Sequence, residues 1–178
     1  MKNKILIVLL VIFNILAVLY LISPTPKIPD LINSVKSDKS EDTTEIPNVS
    51  GYFTNMSRAQ VMDFYKKNYN GLFKTISNYP PEKAKTLFRV NMETYYLEEI
   101  SFPFKESLYI NGFEWENDVF TKPEKRAAIN YKGTDYKSRI TIRTFPTSIP
   151  NRLISFFFTE SVIIFAFYAY KSFLKKKK

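Results

Sequence analysis

The sequence predicts an α+β fold, two helices packed on a four-stranded antiparallel meander, flanked by an N-terminal and a C-terminal transmembrane helix. Three observations predict it. An apolar run lies close to each end of the 178 residues, with lysines on its outer side. Apolar positions recur at helical spacing behind start signals in the middle of the chain. Alternating apolar and polar runs then follow, punctuated by Asn-Gly and Lys-Gly.

Composition excludes several classes of chemistry. Cysteine and histidine are both absent. The chain therefore supplies no disulfide, thiolate or imidazole metal ligand, cysteine nucleophile or Ser-His-Asp triad, and no lipobox cysteine. No metal site, cofactor, phosphate loop or dinucleotide fingerprint is expected. The net charge of +9 is concentrated at the ends, in Lys2, Lys4, Lys171 and Lys175 to Lys178. Between Pro24 and Arg152, 19 Lys and Arg face 16 Asp and Glu, an ordinary balance for a soluble domain. The excess thus reads as a membrane-topology signal, with no nucleic-acid partner implied.

Ile5 to Ile22 is apolar except for Asn14. At about 1.5 Å per residue its length matches the hydrocarbon core, so it reads as an uncleaved signal anchor. Pro24 and Pro26 stand where a cleavage site would have to be, and no A-x-A pattern is present. The second segment, residues 151–170, carries Ser155, Thr159, Glu160 and Ser161 among Phe and Ile. A central acidic residue costs about 2.5–3.5 kcal/mol on insertion, against a gain of about 0.3–0.6 for each large apolar one. The lysine-rich tail and the interfacial Tyr168 and Tyr170 favour a span nonetheless. With both termini cytoplasmic, Asn14 lies about 12 Å and Glu160 about 10.5 Å below the outer end of its helix. A hydrogen bond between them is expected, within one chain or between copies, with Ser155 and Thr159 allowing close helix approach.

The expected organisation is a short cytoplasmic terminus (1–4), the first span (5–22), a disordered Pro-rich and charged linker (23–47), an extracytoplasmic domain (48–150), the second span (151–170) and a cytoplasmic tail (171–178). Within the domain, Ser57-x-x-Gln60 forms a capping box, with Met56 and Val61 as a hydrophobic staple. The helix it opens presents Val61, Phe64, Tyr65, Tyr69 and Leu72 on one face and stops at Asn70-Gly71. A second helix is expected from Pro81, presenting Ala84, Phe88, Met92, Tyr95 and Tyr96. Asn111-Gly112 between alternating runs predicts a two-residue type I′ hairpin that sends Trp115 to the core and Glu114 and Glu116 to solvent. A second hairpin is expected at Lys132-Gly133-Thr134.

Two groups in the domain are candidate sites. Glu114 and Glu116, two apart on a strand, have the spacing of paired carboxylates that a glycan-acting enzyme could use as acid and base or nucleophile. Lys137, Arg139 and Arg143 alternate along the last strand and could contact anionic lipid or an anionic envelope polymer. The expected function is a protein of the plasma membrane that presents its extracytoplasmic domain for protein interaction or scaffolding in the cell envelope. Its partners would be the lipid bilayer and either an envelope protein or further copies of the chain. The alternative is a membrane-tethered glycan-acting enzyme using Glu114 and Glu116.

Overall fold

The computed structural model describes residues 2–39, 47–79, 96–117 and 121–176. The chain forms two compact units, one of Met1–Thr25 with Thr147–Lys178 and one of Pro26–Pro146.

The first unit is a pair of helices, α1 (Lys2–Ile22) and, at the end of the chain, α3 (Ile149–Lys176). Both are long and apolar enough to cross a membrane. Leu6, Phe13 and Leu16 on α1, and Phe158, Ile163 and Phe165 on α3, expose most or about half of their surface. The second helix begins earlier than residue 151 because Pro150 falls in its first turn, where the missing N–H has no partner to lose.

The second unit is built on a six-stranded antiparallel sheet. Its strands are β1 (Ser34–Lys36), β2 (Val49–Thr54), β3 (Thr75–Tyr79), β4 (Tyr96–Phe102), β5 (Glu106–Glu114) and β8 (Ser138–Pro146), in the order β1-β2-β8-β5-β4-β3. A separate hairpin joins β6 (Ile129–Tyr131) to β7 (Thr134–Tyr136). Among the described residues one helix, α2 (Arg58–Asn68), packs on the sheet. The class is α+β, but the four-stranded meander is replaced by a wider sheet in which β8 inserts between β2 and β5.

Helix α2 starts where its sequence dictates. The Ser57 hydroxyl accepts from the Gln60 N–H, and the Gln60 side chain accepts from the Ser57 N–H at 2.8 Å. Losing such a cap costs about 0.5–2 kcal/mol. Val61, Met62, Tyr65 and Tyr69 are buried in one cluster with Tyr52, Ile100, Phe102, Leu108, Ile110, Ile140 and Ile142 from the sheet. Leu72, expected on the same face, is exposed because the helix has already ended. Residues 81–95 of the second helix expected from Pro81 lie outside the described residues, while Tyr96, expected on its face, belongs instead to β4, where it pairs with Gly112.

Three expectations are corrected. The Asn111-Gly112 hairpin does not form. Asn111 pairs with Leu97 on one side and Thr141 on the other, and Gly112 with Tyr96 and Ile140, so a turn there would break two ladders at once. The strand continues to Glu114, which puts that carboxylate on the buried face with Leu108 and Ile110, while Trp115 falls in a 3₁₀ turn and is only half-buried. The type I′ turn occurs instead at Lys132-Gly133, whose φ values of 51° and 80° are both positive, as that turn requires. Finally, the linker is not a bare tether. Leu31 is buried, Ile28 packs on the core, and β1 extends the sheet by pairing with β2. Asp30 accepts from the Tyr52 hydroxyl and from Lys36, fixing this strap to the sheet. The remainder of the linker, 40–46, lies outside the described residues.

Candidate functional site

Within the helix pair, Asn14 Nδ2 donates to Glu160 Oε1 at 2.9 Å and to its own helix at the Leu10 carbonyl, 3.0 Å away. The seam on α3 runs through Arg152, Phe156 and Glu160, spaced four apart on one face, and Phe156 meets Phe13 of α1 with ring centroids 6.2 Å apart. Ser155 and Thr159 are not on this seam. Both are exposed, and the Thr159 hydroxyl donates to the Ser155 carbonyl at 2.8 Å, as Ser161 does to Phe157 at 2.7 Å. A hydroxyl bonded back to its own helix needs no partner from lipid or protein. The close contact expected of these two small residues is therefore not made, and Phe156 fills the position between Arg152 and Glu160.

Arg152 was missed as a site residue. Its side chain is buried, with Nη1 donating to the Leu21 carbonyl at 3.1 Å and to the Ser23 carbonyl at 3.5 Å, and Nε donating to the Thr147 carbonyl at 2.7 Å. The last carbonyls of a helix lack partners within it and carry the negative end of its dipole, so a guanidinium suits them. Arg152 thus ties the end of α1 to the start of α3, about 12 Å along the axis from Glu160. The available signal was a lone arginine at the head of an apolar helix.

In the sheet unit, Glu114 and Glu116 do not act as a pair. Glu114 is 3 % exposed and accepts from the Arg58 backbone N–H at 2.8 Å and from Asn117 Nδ2 at 2.7 Å. It caps the start of α2. Glu116 lies in the following 3₁₀ turn and forms an ion pair with Lys137 at 2.8 Å. The two carboxylates lie on different elements, so the same-face strand spacing expected of a glycan-acting pair is not formed.

The basic stripe is also divided. Lys137 is paired with Glu116, whose carboxylate holds its ammonium pKa above the ordinary value. Arg139 lies between Phe53 and Phe113 in the register, and Arg143 stacks its guanidinium over the Phe145 ring at 4.6 Å. Lys137 and Arg143 are separated by most of the length of β8.

Other titratable groups form structural networks. Arg58 donates through Nε and Nη2 to Glu98, which is buried beside the start of α2. Tyr69 donates to Glu106 in the core, and burial together with that carboxylate pushes the phenol well above its usual range. On the sheet face opposite α2, Glu99 accepts from Tyr79 and from the Ser107 hydroxyl, while burial, then the Glu99 charge, push Tyr109 up to about 12. Among the described residues no three His, Cys, Asp or Glu side chains are grouped to hold a metal ion.

No family model, curated protein or solved structure matches the chain. The functional reading therefore rests on the geometry alone.

Proposed function

We propose that this is a membrane protein in which α1 and α3 form a paired anchor, with the Pro26–Pro146 domain presented outside the cytoplasm for protein interaction or scaffolding in the cell envelope. The observation that carries the reading is the Asn14–Glu160 hydrogen bond between two helices apolar enough to span a bilayer. In water such a contact adds little, because both groups are well solvated apart. In hydrocarbon each polar group needs a partner, and helix pairing supplies it. Orientation follows from the lysines outside both spans, which favour a cytoplasmic location for both termini. Glu98, Glu106, Glu114 and Glu116, with Arg58 and Lys137, are engaged in caps, ion pairs and core hydrogen bonds, a pattern that supports presentation over catalysis.

Affinity capture from gently solubilised membranes tests the reading, using the full chain and the Asn14→Leu/Glu160→Leu double variant. Co-purification of a discrete envelope protein, or of a second tagged copy, is expected from the full chain. A monomer with no companion from both preparations would overturn the scaffolding role.

A further inference from the structure

The sheet has one end from which the chain leaves for α3. Pro146, the last residue of β8, pairs with Glu106, and only Thr147 and Ser148 separate it from the helix. The same end carries the turn from β4 to β5, since Phe102 also pairs with Glu106, and the turn into β3, since Thr75 pairs with Ser101. Helix α2 points its C-terminus there too, with Tyr69 against Phe102 and Glu106. Glu114, Lys137 and Trp115 lie at the opposite end.

The tips at the exit end are apolar and exposed. Leu72 is 71 %, Phe73 69 % and Phe104 42 % exposed, and Phe145 at the end of β8 is 45 % exposed. Phe73 and Phe104 both adopt left-handed backbone, at φ 59° and 62°. Bulky residues are uncommon in that region, where glycine or asparagine would sit without strain. Two turns thus spend backbone strain to hold a phenylalanine outward. Two cations lie toward the same end of the sheet. Lys74 donates to the Lys66 carbonyl and to Asn70 at the end of α2, and Arg143 lies over Phe145. Exposed aromatic tips with a basic surround have the chemistry of the headgroup zone, where rings enter the acyl boundary and cations meet phosphate.

We propose that Leu72, Phe73 and Phe104 form an interfacial membrane contact, entering the outer leaflet of the bilayer that α3 crosses, with Lys74 and Arg143 at headgroup level. The inference rests on α3 being a membrane span.

The absence of cysteine makes the test direct. Single-cysteine variants of the full chain, Phe73→Cys, Phe104→Cys, Lys125→Cys and Phe158→Cys, are nitroxide-labelled and reconstituted in phosphatidylcholine/phosphatidylglycerol vesicles. Power-saturation spectroscopy with oxygen and a water-soluble nickel complex then reads depth. Labels at 73 and 104 are expected at the headgroup–acyl boundary, with oxygen accessibility above that to nickel. The label at 125, beside the opposite end of the sheet, is expected to be water-like, and that at 158 deep. If 158 is deep while 73 and 104 remain accessible to nickel, the contact is overturned and the anchor stands. Restricted motion at those two positions would then assign the tips to a contact within the chain or with a second copy. If 158 is water-like, the anchor fails and the inference falls with it.

Discussion

Asn14 and Glu160 are the only polar side chains bonded across the middle of the helix pair among the described residues, and their hydrogen bond has a measurable consequence. In a bilayer such bonds average about 0.6 kcal/mol in double-mutant cycles and reach about 1.7. We expect the Asn14→Leu, Glu160→Leu and double variants, unfolded by sodium dodecyl sulfate in bicelles, to give a coupling of about 0.5–1.5 kcal/mol. Additive effects would show that the two residues do not act together. Asn14 retains a bond to the Leu10 carbonyl when Glu160 is removed, which keeps the coupling at this modest scale. A second residue-scale effect concerns Gly71. A Cβ there would lie 2.7 Å from the Phe102 ring, and that ring is buried and cannot yield freely. Gly71→Ala should therefore destabilise the domain by about 1–3 kcal/mol in chemical denaturation, the usual cost of overpacking.

At the scale of elements, the strap that carries β1 is held by carboxylate contacts. The Lys36 and Tyr52 donors hold the Asp30 carboxyl below the ordinary carboxylate value. The Asp38 carboxyl is likewise lowered, first by Lys132 and then by Tyr131. Groups depressed in the folded state contribute stability that is complete above their unfolded pKa and is lost as pH falls through the folded one. Acidification below the ordinary aspartate range should thus release β1 before the central strands. Hydrogen exchange, corrected for its intrinsic pH dependence, is expected to show protection lost at Val35 ahead of Ile110. Asp30→Asn should remove part of this acid dependence, and an unchanged profile would contradict the assignment. The sequence was informative where one local interaction decides the element. Ser57 and Gln60 determine where α2 starts, and the left-handed φ values of Lys132 and Gly133 form the turn between β6 and β7. It misled where a distant strand decides. Asn111-Gly112 has the local chemistry of a turn, yet ladders to β4 and β8 on both sides hold it extended. Leu31 sits in a segment rich in proline and charge, and its burial depends on Tyr52 and the core, which spacing along the chain does not reveal.

The whole molecule combines a helix pair whose long apolar faces are exposed with a domain whose core is closed. The meeting of Asn14 and Glu160 was legible in the sequence because helix rise is fixed, so two positions at similar depth in antiparallel helices lie level with each other and can meet where they face across the seam. Arg152 was less legible, since its role depends on the carbonyls of Leu21 and Ser23 at the far side of the chain's connectivity. The Glu114 and Glu116 spacing was legible but misleading, because the strand ends between them.

The measurement that tests the central claim most directly is the sidedness of single cysteines introduced by Lys4→Cys, Lys125→Cys and Ser172→Cys, read with a membrane-impermeant maleimide on intact bacterial cells expressing each full-length variant. A two-span anchor predicts labelling at position 125 from outside, with 4 and 172 labelled only after permeabilisation. Labelling of 172 together with 125 in intact cells would show that α3 does not cross, and would contradict the paired anchor.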